Sequence, residues 1–413
     1  MRRITFWAIL AVLVLTLVSL AAACGEEDTA TTDGGAPIKI GAPIPLTGPW
    51  AADGQTMQQG LQIAVDEINA DGGVLGRQLE LDVYDVEDMA PEKLNAAASK
   101  LLVQDKCSAI ITGYSTPGAD VTAFGKYPQP YLQFDASSQN VQMVKDDPAQ
   151  YGHVFTLGDI EAPYGKQTFD LVSALPVDWP NKKVVILAGD FEWDKKITEA
   201  IKAEAEATGW DVAMYEIFPY GTREWGPLLT KIRDIDPAII HWADMDPADA
   251  KTFLDQFGQD PTNSVVEVGY VVSIKGFADV VGKAGENVLG ISTNSILPDE
   301  QGDAFKQRFE DKYGEQPGLS IVGTVYDGVY LWAEAAKEAG DPDDYDKVSE
   351  AIKGLGYRGV NGTYAFTEGN IVPAADPDMG LPMFFFQIQG GELTALNVGT
   401  APQDPFVVPA WVK

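Results

Sequence analysis

Residues 38–102, IKIGAPIPLTGPWAADGQTMQQGLQIAVDEINADGGVLGRQLELDVYDVEDMAPEKLNAAASKLL, decide the fold class of this chain. Residues 38–46 form an apolar run typical of a strand, and residues 53–69 place apolar side chains on one helical face. Residues 78–85 alternate as a second strand, and Pro91 is well placed to begin a second helix. This alternation of strands and helices predicts an α/β unit with a parallel sheet.

The same alternation continues along the chain. Short buried strands are expected at residues 108–112 and 131–134, and a second series of strands and helices begins with KKVVILAG at residues 182–189. Residues 383–398 have the pattern of a β-hairpin with a glycine turn. Because 413 residues are more than one hydrophobic core usually organises, we expect two lobes, each built on a parallel sheet.

The amino terminus, MRRITFWAILAVLVLTLVSLAAAC, combines two arginines, an apolar core and small residues that end at Cys24. This layout predicts a secretory signal over residues 1–23 and lipidation of Cys24, although Ala21 stands where a lipoprotein signal usually has leucine. A transmembrane anchor is the alternative, but no basic stop-transfer cluster follows Cys24. Residues 24–37 are polar and small, which predicts a flexible tether that holds the protein on the extracytoplasmic side of a membrane.

Composition and motifs exclude several classes of function. The net charge of −32 argues against nucleic acid as a partner. With only His153 and His241 in the chain, a zinc site built on several histidines is excluded, and neither a P-loop nor a GxSxG motif occurs. The acidic segment at residues 341–346 lacks the glycine and glutamate of a calcium loop. We therefore expect no metal, no cofactor and no catalytic residue, and Cys107 should be a buried small side chain.

The stretch at residues 38–102, together with KKVVILAGD and TVYDGVYLWAEAAKEAG further on, resembles the bacterial solute-binding proteins of the branched-chain amino acid type. This resemblance implies the type I periplasmic binding fold, with two doubly wound parallel-sheet lobes joined by three hinge crossings. Lobe I would comprise residues 38–156 and 291–364, and lobe II residues 157–290 and 365–413. The implied function is to capture a small polar ligand, an amino acid or a related amide or organic acid, and to deliver it to an ABC permease.

The resemblance also implies a ligand site in the cleft between the lobes. The residue before Gly54 faces the ligand in this family, and here it is Asp53, which favours a polar or cationic ligand. An acid of lobe II usually pairs with the ligand's ammonium group, and Asp244 is the candidate because Tyr270 lies close to the expected position. The full set of expected ligand contacts is Asp53, Tyr114, Ser115, Thr116, Ala136, Ser137, Tyr164, Trp193, Asp244, Tyr270 and Tyr326.

Each of these assignments has a structural alternative. The hydroxyl groups at 115, 116 and 137 could cap helices, and the aromatic rings could belong to the core. Thr47 and Gly48, at the end of the first strand, could meet an anionic group or simply form a turn. Two other functions stay open: a sensor domain for a receptor or kinase, and a hydrolase that uses Asp190 with Glu192.

Overall fold

The computed structural model describes residues 35–48, 50–319 and 321–413. The predicted signal at residues 1–23, the lipidation site Cys24 and most of the tether lie outside the described residues. Within the described part of the chain, no helix is both long and apolar enough to cross a membrane. Residues 35–37, the end of the tether, lead directly into the first strand. The Arg77 side chain donates a hydrogen bond to the carbonyl of Ala36 in this segment at 2.9 Å.

The first sheet defines lobe I and contains five parallel strands in the order β2-β1-β3-β4-β5. Its inner strands are short and apolar, as expected for strands that are covered on both faces. The five strands are β1 (Ile38–Ile44), β2 (Leu79–Asp85), β3 (Ala109–Ile111), β4 (Tyr131–Gln133) and β5 (Val154–Thr156).

Helices cover both faces of this sheet. The two longest pack against each other because each carries a continuous apolar face, with Leu61 and Val65 on one and Val325 and Val329 on the other. The helices of lobe I are α1 (Ala51–Ala70), α2 (Pro91–Ala98, continued by a π-helix at Ser99–Gln104), α3 (Ala119–Phe124), α4 (Ser138–Asp146), α5 (Pro148–Tyr151), α11 (Glu300–Tyr313), α12 (Ile321–Ala339) and α13 (Tyr345–Gly354).

The second sheet defines lobe II and has eight strands in the order β15-β14-β13-β10-β9-β8-β6-β7. The strands from β6 to β10 are parallel, whereas β13, β14 and β15 add an antiparallel edge that begins with the expected hairpin. The strands are β6 (Lys183–Gly189), β7 (Asp211–Phe218), β8 (Ile239–Ala243), β9 (Val265–Glu267), β10 (Leu289–Ser292), β13 (Phe384–Gln389), β14 (Glu392–Val398) and β15 (Ala401–Pro402).

The helices of lobe II follow its parallel strands in the usual alternation. In the second of them, Ile197, Ile201 and Ala205 are spaced four residues apart and are all buried against the sheet. The helices are α6 (Glu161–Ser173), α7 (Glu192–Ala207), α8 (Gly226–Ile235), α9 (Pro247–Phe257) and α10 (Phe277–Val281), with 3₁₀ turns at Gly269–Ser273 and Gly282–Gly285.

Three segments of chain connect the lobes: one after β5, one after β10 and one before β13. The first and third crossings are tied together, because the backbone amide of Ala374 donates to the Asp159 carboxylate at 2.9 Å. The second is tied to lobe I by the Asn361 side chain, which donates to the carbonyl of Asn294 at 2.6 Å. The first and third crossings are therefore neighbours, as expected of segments that form a hinge.

The lobe boundaries differ from the predicted ones at two places. β10 remains in the sheet of lobe II through Ser292, so the chain returns to lobe I after that strand rather than at residue 291. Residues 365–372 still belong to lobe I, because Asn370 and Val372 exchange backbone hydrogen bonds with Thr156 at the edge of β5. A small antiparallel pair, β11 (Tyr357–Arg358) and β12 (Thr363–Tyr364), precedes this segment.

Candidate functional site

A cavity lies between the lobes, at the carboxyl ends of strands from both sheets. This is where a doubly wound sheet exposes its loops and helix starts to a ligand. The lining residues follow β3, β4, β6, β8, β9 and β10 or lie nearby, and they are Met89, Tyr114, Ser115, Pro117, Phe134, Asp135, Ala136, Tyr164, Phe191, Trp193, Met245, Tyr270 and Thr293.

Lobe II contributes a wall of aromatic rings. The rings of Tyr164 and Trp193 have centroids 5.6 Å apart at an interplanar angle of 71°, and those of Trp193 and Tyr270 are 6.0 Å apart at 74°. Edge-to-face pairs of this kind fix the orientation of each ring through its neighbour. The Tyr164 hydroxyl also donates to the carbonyl of Ile291 at 3.0 Å, which attaches this wall to β10.

Lobe I contributes loops held by buried carboxyl groups. Asp135 accepts a hydrogen bond from the backbone amide of Ser115 at 2.5 Å and another from the side-chain amide of Asn140 at 2.7 Å. Asn140 also donates to Asp120 and accepts from the backbone amide of Gly118 at 2.7 Å. The network therefore links the loop after β3 to the loop after β4.

Burial and mutual repulsion change the protonation of this network. Asp120 and Asp135 are both buried, and burial raises the pKa of each carboxyl above its usual range, with the Asp120 charge raising the pKa of Asp135 further. Burial and the neighbouring carboxyl thus both oppose ionisation of this pair. The next residue, Ala136, has a φ of 47°, a left-handed conformation that costs a non-glycine residue about 1–2 kcal/mol.

Asp53 lies behind the cavity wall rather than in it. The hydroxyl of Tyr114, which does line the cavity, donates to the Asp53 carboxylate at 2.8 Å. Burial raises the pKa of Asp53 to about 6, and the Tyr114 hydrogen bond partly opposes that shift. Asp53 therefore fixes the position of the Tyr114 hydroxyl at the cavity wall.

Two buried hydroxyl groups in the lobe I loops have unused hydrogen-bonding capacity. Ser115 Oγ and Ser137 Oγ are both shielded from solvent, and neither has a hydrogen-bond partner among the residues that the structure describes. A buried hydroxyl without a partner is costly, so these positions favour a ligand group that would pair with them. Ser115 lies in the cavity lining itself.

A second set of acidic side chains lies in lobe II beside the cavity. Asp244 directly precedes Met245, a lining residue, and one of its oxygens accepts from the backbone amide of Asp246 at 2.5 Å. Burial raises the pKa of Asp244 to about 7, and its other oxygen has no partner in the described chain. Nearby, the Tyr220 hydroxyl donates to Asp194 at 2.6 Å and accepts from the amide of Met245 at 3.1 Å.

Comparison with known proteins identifies the family. A family model described as "Periplasmic binding protein" matches residues 37–392, which is most of the chain. The chain belongs to this family. A solved structure from Silicibacter pomeroyi, named as a candidate branched-chain amino acid ABC transporter, is 31% identical with a TM-score of 0.84, and the match covers 91% of this chain and 100% of that one.

Two more distant relatives are also similar to this chain. The Leu/Ile/Val-binding protein homolog 1 of Brucella abortus is 23% identical over 358 residues, covering 85% of this chain and 91% of the relative. The branched-chain amino acid substrate-binding protein of Streptococcus pneumoniae, solved with isoleucine, is also 23% identical, with a TM-score of 0.74 and coverage of 88% and 99%. The family consists of binding proteins and not of enzymes, and its fold is the one that the sequence predicted.

The structure brings together about half of the expected contact residues of this binding protein. Six of them line the cavity, from both lobes: Tyr114, Ser115, Ala136, Tyr164, Trp193 and Tyr270. The remaining residues of the set have other positions. Asp53, Ser137 and Asp244 are buried next to lining residues but not in the lining, and Thr116 donates its hydroxyl proton to the carbonyl of Met89 at 2.9 Å.

The expectation for Tyr326 is wrong. Its hydroxyl donates to Glu67 at 2.6 Å and accepts from Arg308 at 3.1 Å, and its ring packs on Phe305 within the core of lobe I. The residue lies on α12, whose two sides are both buried, so helical position alone did not reveal which side faces the cleft. Thr47 also has a structural role, because its amide and hydroxyl both bind the Asp85 carboxylate.

Several lining residues were absent from the expected set. Phe134 and Asp135 follow β4, Phe191 follows β6, and Met245 and Thr293 follow β8 and β10. Their positions immediately after strands were the available signal, since that is where a parallel sheet presents its ligand-binding loops. Met89 and Pro117 complete the missed residues.

Contacts between the lobes close the cleft on more than one side. The rings of Trp50 of lobe I and Phe191 of lobe II are 6.2 Å apart, and the backbone amide of Ser138 donates to Glu161 of lobe II at 2.7 Å. On another side, Lys275 of lobe II forms an ion pair with Glu315 of lobe I. The two lobes are therefore in a closed arrangement. Among the described residues, no cluster of His, Cys, Asp or Glu is suited to hold a metal ion.

Proposed function

We propose that this protein is the extracytoplasmic solute-binding component of an ABC importer. It captures a small ligand in the cavity between its lobes and delivers that ligand to a membrane permease, while a lipid on Cys24 keeps it at the membrane. The observation that carries the proposal is the cavity itself, which takes its lining from loops after strands of both lobes.

This arrangement explains how capture would work. A ligand that touches Ser115 and Tyr114 of lobe I together with Trp193 and Tyr270 of lobe II has its full set of contacts only when the lobes are closed. The ligand therefore stabilises the closed state by its differential affinity for that state. A permease that recognises the outer surfaces of closed lobes would then receive only loaded protein.

The lining also restricts the ligand to molecules with a substantial apolar body. Rings and methionine side chains make up most of the wall, and burial of apolar surface is the main source of affinity in such pockets. Amino acids with large apolar side chains, as named for the relatives, and small aromatic molecules fit this description. The Asp53 carboxylate, which the sequence associated with a polar or cationic ligand, accepts a hydrogen bond from Tyr114, so its effect on a ligand would pass through that side chain.

Ligand binding is the first test. The purified full-length protein would be examined by native mass spectrometry for a co-purified ligand and titrated by calorimetry with apolar amino acids, amides and small aromatic compounds. We expect at least one compound to bind, and Ser115→Ala to weaken its affinity about tenfold, the effect of losing one good hydrogen bond of about 1.4 kcal/mol. The matched control is Ser349→Ala on α13, because Ser349 Oγ is also buried without a partner but lies away from the cavity.

Uptake of the bound compound into cells is the second test. Import should require this protein, and Cys24→Ala should abolish import while calorimetry still detects ligand binding. Binding without any contribution to uptake would contradict delivery to a permease and would favour a sensor. Failure of every compound to bind, with no ligand co-purified, would contradict the proposed function as a whole.

A further inference from the structure

The cavity has an aromatic box, which we define as the rings of Tyr164, Trp193 and Tyr270. These rings meet at 71° and 74°, so they form adjoining walls rather than a flat stack. Phe191 and Tyr114 extend the aromatic lining beyond the box. The face of each ring carries partial negative charge, so a cation in a cavity walled by aromatic rings is attracted to the ring faces that it can reach.

The phenol groups at the cavity reinforce this preference. The Tyr114 hydroxyl donates its proton to Asp53, and the Tyr164 hydroxyl donates its proton to the carbonyl of Ile291. A phenol has a single proton to donate, so these oxygens can only accept further hydrogen bonds. They are therefore suited to a ligand group that donates hydrogen bonds or carries positive charge.

Backbone donors near the cavity are largely occupied as well. The backbone amide of Ser115 donates to the Asp135 side chain, and the backbone amide of Asp135 donates to the Gln133 side chain. The backbone amide of Ser138 donates to the Glu161 side chain. Among the described residues that line the cavity, none is a lysine, arginine or histidine. An anionic ligand would find the Ser115 and Ser137 hydroxyls but no positive charge to compensate its own.

Three carboxyl groups lie in or near the cavity: Asp135 is in the lining, Asp53 lies behind Tyr114, and Asp244 precedes Met245. Burial raises the pKa of all three, and Asp53, with a pKa of about 6, is the one that adds most negative charge at neutral pH. A molecule with a net charge of −32 also attracts cations from solution and repels anions. Ring faces, hydrogen-bond acceptors and charge thus favour the same kind of ligand.

We propose, building on the function proposed above, that the ligand carries a cationic nitrogen, an alkylated ammonium group, and that the aromatic box formed by Tyr164, Trp193 and Tyr270 holds this group. The apolar remainder of the ligand contacts Phe134, Phe191 and Met245, and an oxygen or hydroxyl of the ligand pairs with Ser115. The site thereby selects organic cations, with or without an attached carboxylate, over uncharged and anionic molecules of the same size.

The test uses a matched pair of probes. Choline and its uncharged carbon isostere, 3,3-dimethylbutan-1-ol, have nearly the same shape and differ in the positive charge. Calorimetry on the full-length protein should show choline binding at least tenfold more tightly, since desolvated cation–π contacts reach about 2 kcal/mol and a factor of ten corresponds to 1.4 kcal/mol. Equal or tighter binding of the isostere would overturn the proposal.

Variants of the box separate the effect of the ring from that of volume. Tyr270→Phe retains the ring and should preserve the preference for choline, whereas Tyr270→Leu removes the ring and should reduce the preference by at least threefold. Trp193→Phe and Trp193→Leu provide a second pair in case one variant of Tyr270 fails to fold. Loss of the preference in the phenylalanine variants as strongly as in the leucine variants would overturn the assignment to the rings.

Leucine and benzoate, tested in the same way, distinguish this proposal from the general one. If either binds while choline shows no binding or no advantage over its isostere, the cationic ligand class is wrong and the solute-binding function stands. If no probe binds and no ligand co-purifies, the solute-binding function itself fails.

Discussion

The two lobes present different surfaces to the same cavity. Lobe I offers loops that are held by hydrogen bonds to buried carboxyl groups, chiefly Asp135 and Asp53. Lobe II offers rings that hold one another by edge-to-face packing, with Trp193 between its two tyrosine neighbours. Hydrogen bonds fix the position of a loop tightly but are sensitive to the loss of one partner, whereas ring packing is distributed over many contacts. Substitutions in the two lobes should therefore have different consequences.

The largest effect is expected for Asp135→Ala in lobe I. This change leaves the amide of Ser115 and the side-chain amide of Asn140 buried without their acceptor. Each unsatisfied buried group costs about 1–3 kcal/mol, so the free energy of unfolding should fall by about 4 kcal/mol. Denaturation with urea, followed by tryptophan fluorescence, measures the change.

Two further variants serve as controls for Asp135→Ala. Asp135→Asn keeps an oxygen for Ser115 but turns an amide toward the Asn140 amide, so its effect should be intermediate. Asp146→Ala removes an exposed carboxylate at the end of α4 and should change the stability by less than about 0.5 kcal/mol. If Asp135→Ala were as mild as Asp146→Ala, the carboxyl network would not be what fixes the lobe I loops.

A smaller effect on stability, but a larger one on binding, is expected for Trp193→Leu in lobe II. The change removes two ring pairs worth about 0.5–1.5 kcal/mol each, so the free energy of unfolding should fall by about 2 kcal/mol. Because the ring is also part of the cavity wall, the dissociation constant of the ligand should rise at least tenfold. Calorimetry and urea denaturation on the same samples measure the two quantities.

Trp411→Leu is the matched control in the same lobe. Trp411 packs on Phe257 at a centroid distance of 6.0 Å and donates to the carbonyl of Ser264, away from the cavity. Its replacement should lower stability and leave ligand affinity unchanged. Equal loss of affinity in both variants would mean that Trp193 acts through the stability of lobe II and not as a cavity wall.

The sequence predicted the fold of both lobes for a physical reason. Strands such as β6 and helices such as α7 have apolar patterns that identify them without reference to the rest of the chain. β5 and β10 have three and four residues, which is too short for such a pattern. The predicted lobe boundary at residue 291 therefore falls inside β10. The predicted boundary at residue 364 leaves out the segment after β12 that still belongs to lobe I.

The candidate site was predictable only in part. Positions soon after strands, such as Ser115 and Ala136, follow from the topology, and Trp193 was identified because it lies shortly after β6, at the start of α7. The partner of a buried acid is not encoded locally: Asp53 pairs with a tyrosine 61 residues away, and Asp135 with Ser115. Tyr326 failed for the same reason, since its partner Glu67 is 259 residues distant.

The lobes should also differ in pH dependence, through Asp53 and Asp244. Both carboxyls have a raised pKa because of burial, about 6 for Asp53 and about 7 for Asp244, against 3.8 for an ordinary aspartate. A folded state that holds a proton which the unfolded state has lost is favoured at low pH. The stabilisation from Asp244 is present below about pH 4 and is lost as the pH rises through about 7, by at most about 1.4 kcal/mol per pH unit.

Asp244→Asn isolates this contribution. The variant should show a flatter dependence of unfolding free energy on pH between about 4 and 7, and Asp53→Asn should flatten only the part below about pH 6. Urea denaturation at a series of pH values gives both slopes. Identical slopes in Asp244→Asn and the unmodified protein would show that Asp244 is accessible to water and not held in a dry site.

The smallest effect concerns the contact that joins the two lobes at Lys275 and Glu315. Both side chains are partly exposed, and exposed ion pairs contribute about 0.2–1 kcal/mol. Because this pair joins the two lobes, we expect opening of the cleft to break it, and its energy should then appear in the rate at which ligand leaves and not in the stability of either lobe. Lys275→Ala should raise the dissociation rate about twofold, which corresponds to about 0.5 kcal/mol, and high salt should remove the difference.

Stopped-flow fluorescence measures the dissociation rate. The control is Lys251→Ala, which breaks an ion pair with Asp255 within one helix of lobe II and should leave the rate unchanged. An equal acceleration in both variants would show that surface charge in general, rather than this interlobe pair, governs opening.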